Sequence, residues 1–178
     1  VAMIPYQWYP ICFGREVRGR PLALPRMGRK LVAWRDAEGI VVVMNDRCPH
    51  RGAARSQGHV RDGHLECPWH GFRFDKSGVC RTIPAESPDV KIPPGLSTSP
   101  YSVKESHGLV WLFWYPDAPN VSPSVQLPPL PWFERFDSDD RTIAYTAIDW
   151  PVNHVRAIEA NFDVHHFPFV HRSVFPGM

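Results

Sequence analysis

The sequence predicts a mainly β protein of the α+β class, built from antiparallel strands and followed by one helical stretch. Short runs of aromatic and β-branched residues recur along the first 115 positions, separated by turn residues, as is typical of antiparallel strands. The 178 residues include 20 prolines, roughly double the usual share, so long helices should be few. Hydrophobic residues make up 43% and charged residues 21%, a composition that excludes a disordered chain.

Charge and hydropathy exclude two classes of partner. The net charge is +2 and the isoelectric point is near 8.4, which is too mild to indicate a nucleic-acid partner. No apolar run approaches the roughly 20 residues that a membrane helix requires. The chain starts at Val1 without an initiator methionine and shows no signal-peptide pattern, so we expect that both ends have been cut.

The β region begins with a strand predicted over Tyr6–Phe13, which is aromatic and β-branched. Three hairpins follow, each with a turn of polar residues and glycine between two apolar runs. Short strands at this spacing indicate a small sandwich or barrel. The paired runs are Lys30–Arg35 with Ile40–Met44, Phe72–Phe74 with Val79–Cys80, and Val103–Glu105 with Leu109–Trp114.

A proline-rich segment separates this region from the rest of the chain. Pro116–Pro131 contains six prolines, and proline cannot occupy a helix interior or a central strand. We interpret residues 1–117 as the first domain, 118–131 as an extended linker, and 132–178 as the first part of a second domain.

Two elements are predicted after the linker. Thr142–Trp150 alternates enough to predict a strand, and Val152–His166 is the only convincing helical stretch. Pro151 suits the first position of that helix, because its missing N–H would have no partner there in any case.

Two short loops each supply one thiol and one imidazole. The sequence reads Cys48-Pro49-His50 and then, after sixteen residues, Cys67-Pro68-Trp69-His70. Thiolates and imidazoles suit zinc and also iron–sulfur clusters. Zinc fingers generally pair Cys with Cys and His with His along the chain. One cysteine and one histidine in each loop are instead expected if both loops bind both irons of a [2Fe–2S] cluster. We therefore favour the cluster and keep structural zinc as the alternative.

Mixed ligation has an electrostatic consequence. Two ferric irons, two sulfides and two thiolates sum to a formal charge of about zero, against about −2 for a cluster held by four cysteines. The more neutral centre accepts an electron more easily, so its reduction potential is higher. The prolines and glycines around the ligands suit tight loops whose backbone amides can point at the sulfurs and tune that potential.

The other two cysteines, Cys12 and Cys80, lie in predicted strands, and we expect buried free thiols there. A disulfide between them stays an open alternative. An iron–sulfur centre favours a reducing compartment, so we expect a cytoplasmic protein.

The two loops resemble those of a known family. Asp46–Ala53 and Cys67–Asp75 are similar to the two cluster loops of Rieske [2Fe–2S] domains, and Trp8-Tyr9-Pro10 is similar to the oxygenase branch of that family. Arg55 departs from the family pattern, which usually has an apolar residue there, and this leaves the local packing open. The resemblance implies an antiparallel Rieske domain whose cluster is held by Cys48, His50, Cys67 and His70.

A second candidate metal site comprises Asp163, His166 and His171. Asp163 and His166 are three residues apart and share a helical face. His166 and His171 are five apart, about 140° on an ideal helix, so they converge only if the helix is interrupted. Pro168 is placed to interrupt it, because proline removes a donor and pushes Phe167 out of the helical region. Two histidines completed by one carboxylate form the facial triad of non-haem iron(II) oxygenases.

Together the two constellations resemble the Rieske non-haem iron oxygenases. The resemblance implies that His166 and His171 ligate a mononuclear iron. It implies that Asp163 is not a ligand and instead links this iron site to the cluster of a neighbouring subunit. The family's third ligand is an aspartate far downstream, so we expect this chain to be part of a longer subunit with an α+β, helix-grip-like catalytic domain.

The same resemblance implies a reaction and its partners. A ferredoxin or flavin reductase drawing on NAD(P)H would supply electrons, through the cluster, to Fe(II) in a homotrimer. With O₂, the iron would hydroxylate or demethylate an apolar organic substrate, aromatic or alicyclic. Two alternatives stay open: a Rieske-type ferredoxin that only carries electrons, and a zinc-stabilised interaction module.

Overall fold

The computed structural model describes residues 3–115, 126–138, 142 and 144–174. The chain divides into two compact units, residues 1–131 and residues 132–178. Residues 116–125, which include most of the predicted proline-rich linker, lie outside the described residues. The finer boundary between positions 117 and 118 therefore stays a prediction.

The first unit consists of antiparallel sheets, as predicted. Among the described residues, one sheet has the order β1-β10-β9, a second β2-β3-β4, and a third β5-β6-β7-β8. The strands are β1 (Gln7–Phe13), β2 (Leu22–Arg26), β3 (Arg29–Arg35), β4 (Val41–Asn45), β5 (His59–Arg61), β6 (His64–Glu66), β7 (Arg73–Phe74), β8 (Cys80–Thr82), β9 (Val103–Ser106) and β10 (Leu109–Trp114).

Strand β3 is buried on both of its faces. Leu31 and Ala33 pack in a core that includes residues of β1, β2, β4 and β10. Val32 and Trp34 pack on the opposite side, in a cluster with Leu65 of the third sheet. Because successive residues of a strand point to opposite faces, this one strand joins two hydrophobic cores.

The predicted first strand and all three predicted hairpins are confirmed, with small shifts at their ends. Three strands were missed. Strands β5 and β6 turn on Asp62-Gly63, whose φ angles of +50° and +75° suit a two-residue hairpin turn, so the sequence did carry a signal. Strand β2 contains Pro25, which is tolerated because β2 lies at the edge of its sheet.

The second unit contains two short helices among its described residues, α1 (His154–Phe162) and α2 (Phe167–Val170). Helix α1 begins two residues after the predicted start at Val152. Its cap is Asn153, whose Oδ1 accepts a 2.9 Å hydrogen bond from the N–H of Val155, so Pro151 does not start the helix. Neither described helix is long and apolar enough to cross a membrane.

The strand predicted over Thr142–Trp150 is wrong for the part of it that the structure describes. Residues 142 and 144–150 belong to no strand. Alternating sequence only makes a strand possible, because a strand also requires a neighbour for its backbone hydrogen bonds. The described part of the second unit provides no such neighbour.

Gly58 lies against the backbone of Glu66, the residue before Cys67, and should not tolerate a side chain. A Cβ atom at Gly58 would lie 1.9 Å from the carbonyl oxygen of Glu66 and 3.1 Å from that of Arg55, and neither backbone atom can move aside easily. We expect Gly58→Ala to lower the free energy of unfolding by about 2 to 4 kcal/mol. Gly95→Ala, where a Cβ meets nothing within 4 Å, should change it by less than about 0.5 kcal/mol. Denaturant titration of the two variants measures this difference, and equal effects would contradict the clash.

Candidate metal centres

The two cysteine loops share one backbone design. In each loop the cysteine N–H donates to the carbonyl five residues later, and the glycine N–H four residues later donates back to the cysteine carbonyl. These bonds measure 2.8 and 2.9 Å in the loop of Cys48, and 2.9 and 3.0 Å in the loop of Cys67. The closing glycines, Gly52 and Gly71, have φ angles of +78° and +69°, which favour glycine. The two loops are therefore equivalent tight turns that each carry one cysteine and one histidine.

The four predicted cluster ligands come together as two pairs. Cys48 and Cys67 are both buried and pack in one cluster, where the Cys67 thiol helps to raise the pKa of Cys48. The rings of His50 and His70 meet edge to face with centroids 4.7 Å apart. In the described part of the chain, no three His, Cys, Asp or Glu side chains are grouped so that they can hold one metal ion. A thiol pair beside an imidazole pair is the donor set that a mixed-ligand two-iron cluster requires.

His50 has the properties of a metal ligand. Its Nδ1 atom is buried and has no hydrogen-bond partner among the described residues, and its ring stacks on Phe72 with centroids 4.7 Å apart. A buried nitrogen without a hydrogen-bond partner is unfavourable unless it binds another group. Burial lowers the pKa of His50, and the positive charges of His70 and Arg51 lower it further. The neutral imidazole that results is the form that binds metals.

The thiol of Cys48 is protonated without metal. Burial raises its pKa to about 11, and the neighbouring Cys67 thiol contributes to the rise. The backbone N–H of His50 donates to the Cys48 sulfur and opposes this rise, and it is an amide contact of the kind predicted for these loops. Because thiolates are the metal-binding form, loading this site must release protons.

Three neighbours of the ligands were not predicted as site residues. Phe72 supports the ring of His50, and the exposed Trp69 is parallel to the ring of His70, with centroids 5.7 Å apart. Both lie in the second loop of the motif, which is the only sequence signal for them. Arg55 was noted only as a departure from the family pattern, yet its side chain is fully buried.

The residues of the second candidate site also lie together. The rings of His166 and His171 meet at a centroid distance of 5.3 Å. Asp163 Oδ2 lies 3.4 Å from His166 Nδ1, and Asp163 Oδ1 accepts a 3.0 Å hydrogen bond from the N–H of His165. His166 thus contacts both Asp163 and His171, although the three side chains do not together form a group that can hold one metal ion.

The helix is interrupted at a different residue from the one predicted. Helix α1 ends at Phe162, and Asp163 caps it with extended backbone. Pro168 lies in the first turn of α2 together with Phe167, so the prediction that Pro168 pushes Phe167 out of the helical region is wrong. The physical reason is that a first turn has N–H groups without partners, so proline is accepted at a helix start. His166 and His171 flank this short helix, one at each end.

Cys12 and Cys80 are both free thiols, as expected. Cys80 is buried beside the cluster loops, and its sulfur lies 3.7 Å from the carbonyl oxygen of Thr82. Burial raises the pKa of Cys12 to about 11, and the charge of Glu16 adds to the rise. Neither thiol is therefore primed for chemistry at neutral pH.

Comparison with known proteins gives consistent matches. Protein TIC 55, chloroplastic, of Arabidopsis thaliana is 35% identical over 93% of this chain and 30% of its own length. The 3-chlorobenzoate-3,4-dioxygenase oxygenase subunit of Comamonas testosteroni is 32% identical over 92% of this chain and 37% of its own length. The solved structure of Pseudomonas putida CBB5 NdmA superimposes with a TM-score of 0.80 at 27% identity, and the match covers 96% of this chain and 51% of that chain.

These matches cover most of this chain but only 30% to 51% of the relatives' own lengths. Residues 7–102, which include both cysteine loops, match the family described as the Rieske [2Fe–2S] domain. This match favours the iron–sulfur interpretation over structural zinc. Since it spans more than half of the sequence, the chain belongs to the Rieske [2Fe–2S] domain family, and its relatives include oxygenase components.

Proposed function

We propose that this chain belongs to an oxygenase component that combines a Rieske cluster with a mononuclear iron site. The arrangement of Asp163 and His171 around His166 carries the proposal, because two histidines with an aspartate beside them have no evident role in a protein that only carries electrons. The oxygenase subunit from Comamonas testosteroni, similar over 92% of this chain, supports it.

In this proposal, Cys48 and Cys67 bind one iron of the cluster, and His50 and His70 bind the other. The buried, unpaired Nδ1 of His50 and the paired thiols fit that assignment. When bound, the cluster stores one electron, and the mononuclear Fe(II) activates O₂. The tight loops hold the donors in place before metal arrives, so binding requires little rearrangement of the backbone.

Asp163 has a positioning role beside the second site. A carboxylate next to Nδ1 favours the His166 tautomer with a proton on Nδ1, which leaves Nε2 free to bind iron. We propose that the Asp163 carboxylate also accepts a hydrogen bond from the cluster histidine of a neighbouring subunit in a head-to-tail homotrimer. A ferredoxin or flavin reductase that draws on NAD(P)H would then supply the electrons.

The proposed substrate is an apolar organic molecule, aromatic or alicyclic, that is hydroxylated or demethylated. Phe162 and Phe169 lie close in sequence to the two histidines, and both side chains are exposed in the second unit. Such side chains suit an apolar ligand next to a metal. The dioxygenase from Comamonas testosteroni is named for an aromatic substrate, 3-chlorobenzoate, which supports the same substrate class.

Metal analysis tests the proposal. We expect a red-brown protein with acid-labile sulfide, about two irons per chain in the cluster, and an EPR signal on reduction. With added Fe(II), the longer subunit that includes the expected downstream aspartate should bind a further iron, and His166→Ala with His171→Ala should prevent that binding without bleaching the cluster. His154→Ala, an exposed histidine on α1, is the matched control.

Three outcomes discriminate between the functions. A colourless protein that contains zinc would contradict the Rieske cluster. A coloured protein that binds no further iron, with or without His166 and His171, would favour the ferredoxin alternative. Loss of the further iron only in the double variant would support the oxygenase.

A further inference from the structure

Arg55 is a fully buried arginine next to the candidate cluster. It has 0% exposure and begins a 3₁₀ turn directly after the first cysteine loop. Its backbone N–H donates to the Asp46 carbonyl at 2.8 Å, which fixes the turn against the chain that leads into Cys48. Arginine is almost never fully buried unless it is paired, so this position calls for an explanation.

The guanidinium group of Arg55 is only partly satisfied. Nη2 donates to the carbonyl oxygen of Asn45, Nη1 lies 3.8 Å from the Met44 sulfur, and the group packs over the Phe74 ring at 5.0 Å. Its Nε has no partner among the described residues. The contacts with the carbonyl, the sulfur and the ring stabilise a positive charge without neutralising it.

That charge persists at neutral pH and acts on the cysteines. Burial lowers the pKa of Arg55 to about 10, while the acidic groups of Cys48, Asp46 and Cys67 hold it up. The geometry agrees, because Phe74, over which the guanidinium packs, belongs to the same buried cluster as Cys48 and Cys67. The carboxylate of Asp46 accepts 2.6 Å hydrogen bonds from the N–H and the hydroxyl of Ser56, and no hydrogen bond from its side chain to Arg55 is present in the described region.

We propose that Arg55 raises the reduction potential of the cluster by placing a fixed positive charge behind the two cysteines. The inference rests on the proposed function, because it requires the cluster to be present. A cluster of two ferric irons, two sulfides, two thiolates and two neutral imidazoles is formally neutral, and one added electron makes it an anion. A nearby positive charge stabilises the anion more than the neutral form, and burial keeps solvent ions from screening the effect.

A redox titration of the intact cluster-loaded protein with dithionite, followed by visible circular dichroism, tests the inference. Arg55→Met and Arg55→Gln remove the charge, and Gln keeps a donor for the Asn45 carbonyl. We expect the equilibrium constant for one-electron reduction to fall at least tenfold in both variants, a shift of about 59 mV to lower potential. Arg55→Lys keeps the charge and should retain most of the potential.

Arg51→Gln is the matched control, because Arg51 is also close to a ligand but is exposed. Any shift in that variant should shrink as salt is added, whereas the Arg55→Gln shift should persist at high salt. A coloured protein whose potential does not change in Arg55→Gln would overturn the role of Arg55. So would a Lys variant with a potential as low as that of the neutral variants. A colourless wild-type protein would instead overturn the proposed cluster.

Discussion

Cys67→Ser is expected to remove nearly all of the visible absorption and acid-labile sulfide of the protein. Cys67 is 2% exposed, and its thiol lies beside that of Cys48, so one serine leaves an iron with a single thiolate. Serine supplies a hydroxyl oxygen instead of a thiolate sulfur, and this oxygen is a poor ligand for an iron–sulfur cluster. Absorption spectra together with iron and sulfide assays of the purified variant measure the loss.

Cys80→Ser provides the control for this loss. Cys80 lies in the same buried cluster as Cys67 and is 3% exposed, so the two substitutions place the same polar group at similar depth. The Cys80 sulfur is directed toward the Thr82 carbonyl, and we assign it no metal. Cys80→Ser should therefore keep the colour. If the two variants bleach equally, general unfolding rather than ligand loss is the cause, and the assignment of Cys67 fails.

Asp163→Ala is expected to lower turnover by about 100-fold while both metal sites stay occupied. The carboxylate contacts His166 at 3.4 Å but is not itself among the assigned ligands, so the site should still fill when Fe(II) is supplied in excess. The substitution removes the proposed route for electrons from the cluster to the mononuclear iron. Stopped-flow reoxidation of the pre-reduced cluster, with substrate and O₂ present, measures that electron transfer directly.

His165→Ala is the matched control for Asp163→Ala. Its ring also lies near the same carboxylate, at 3.8 Å, but its side chain is 98% exposed and matches no ligand position. We expect wild-type reoxidation in this variant. Unchanged reoxidation in Asp163→Ala would refute the connecting role, and loss of iron even with excess Fe(II) would show that positioning of His166, rather than electron transfer, accounts for the lower turnover.

The parts of this protein that could be predicted from sequence are those set by short-range contacts. The hydrogen bonds that close each cysteine loop join residues no more than five positions apart, so donors and acceptors both lie within the motif. The same holds for the hairpin whose turn includes His107 and Gly108. Strand β2 was missed because its pairing with β3, rather than its own composition, makes it a strand.

Prediction was weaker where secondary structure depends on a neighbouring strand or on the position of a residue within a helix. The alternation in Thr142–Trp150 says nothing about whether a neighbouring strand exists, and Pro168 is compatible with either the end or the start of a helix. Arg55 shows a third limit. Its charge suggests a surface residue, and only the three-dimensional structure shows that the ring of Phe74 and a backbone carbonyl enclose it.

The double burial of β3 also affects how the first unit unfolds. A strand that belongs to two hydrophobic cores couples their opening, since neither core can be exposed to water while the other keeps β3 in place. Trp34 strengthens this coupling through its indole N–H, which donates to the Gly63 carbonyl of the third sheet's hairpin at 3.2 Å. The two cores should therefore open together in one cooperative transition rather than one after the other.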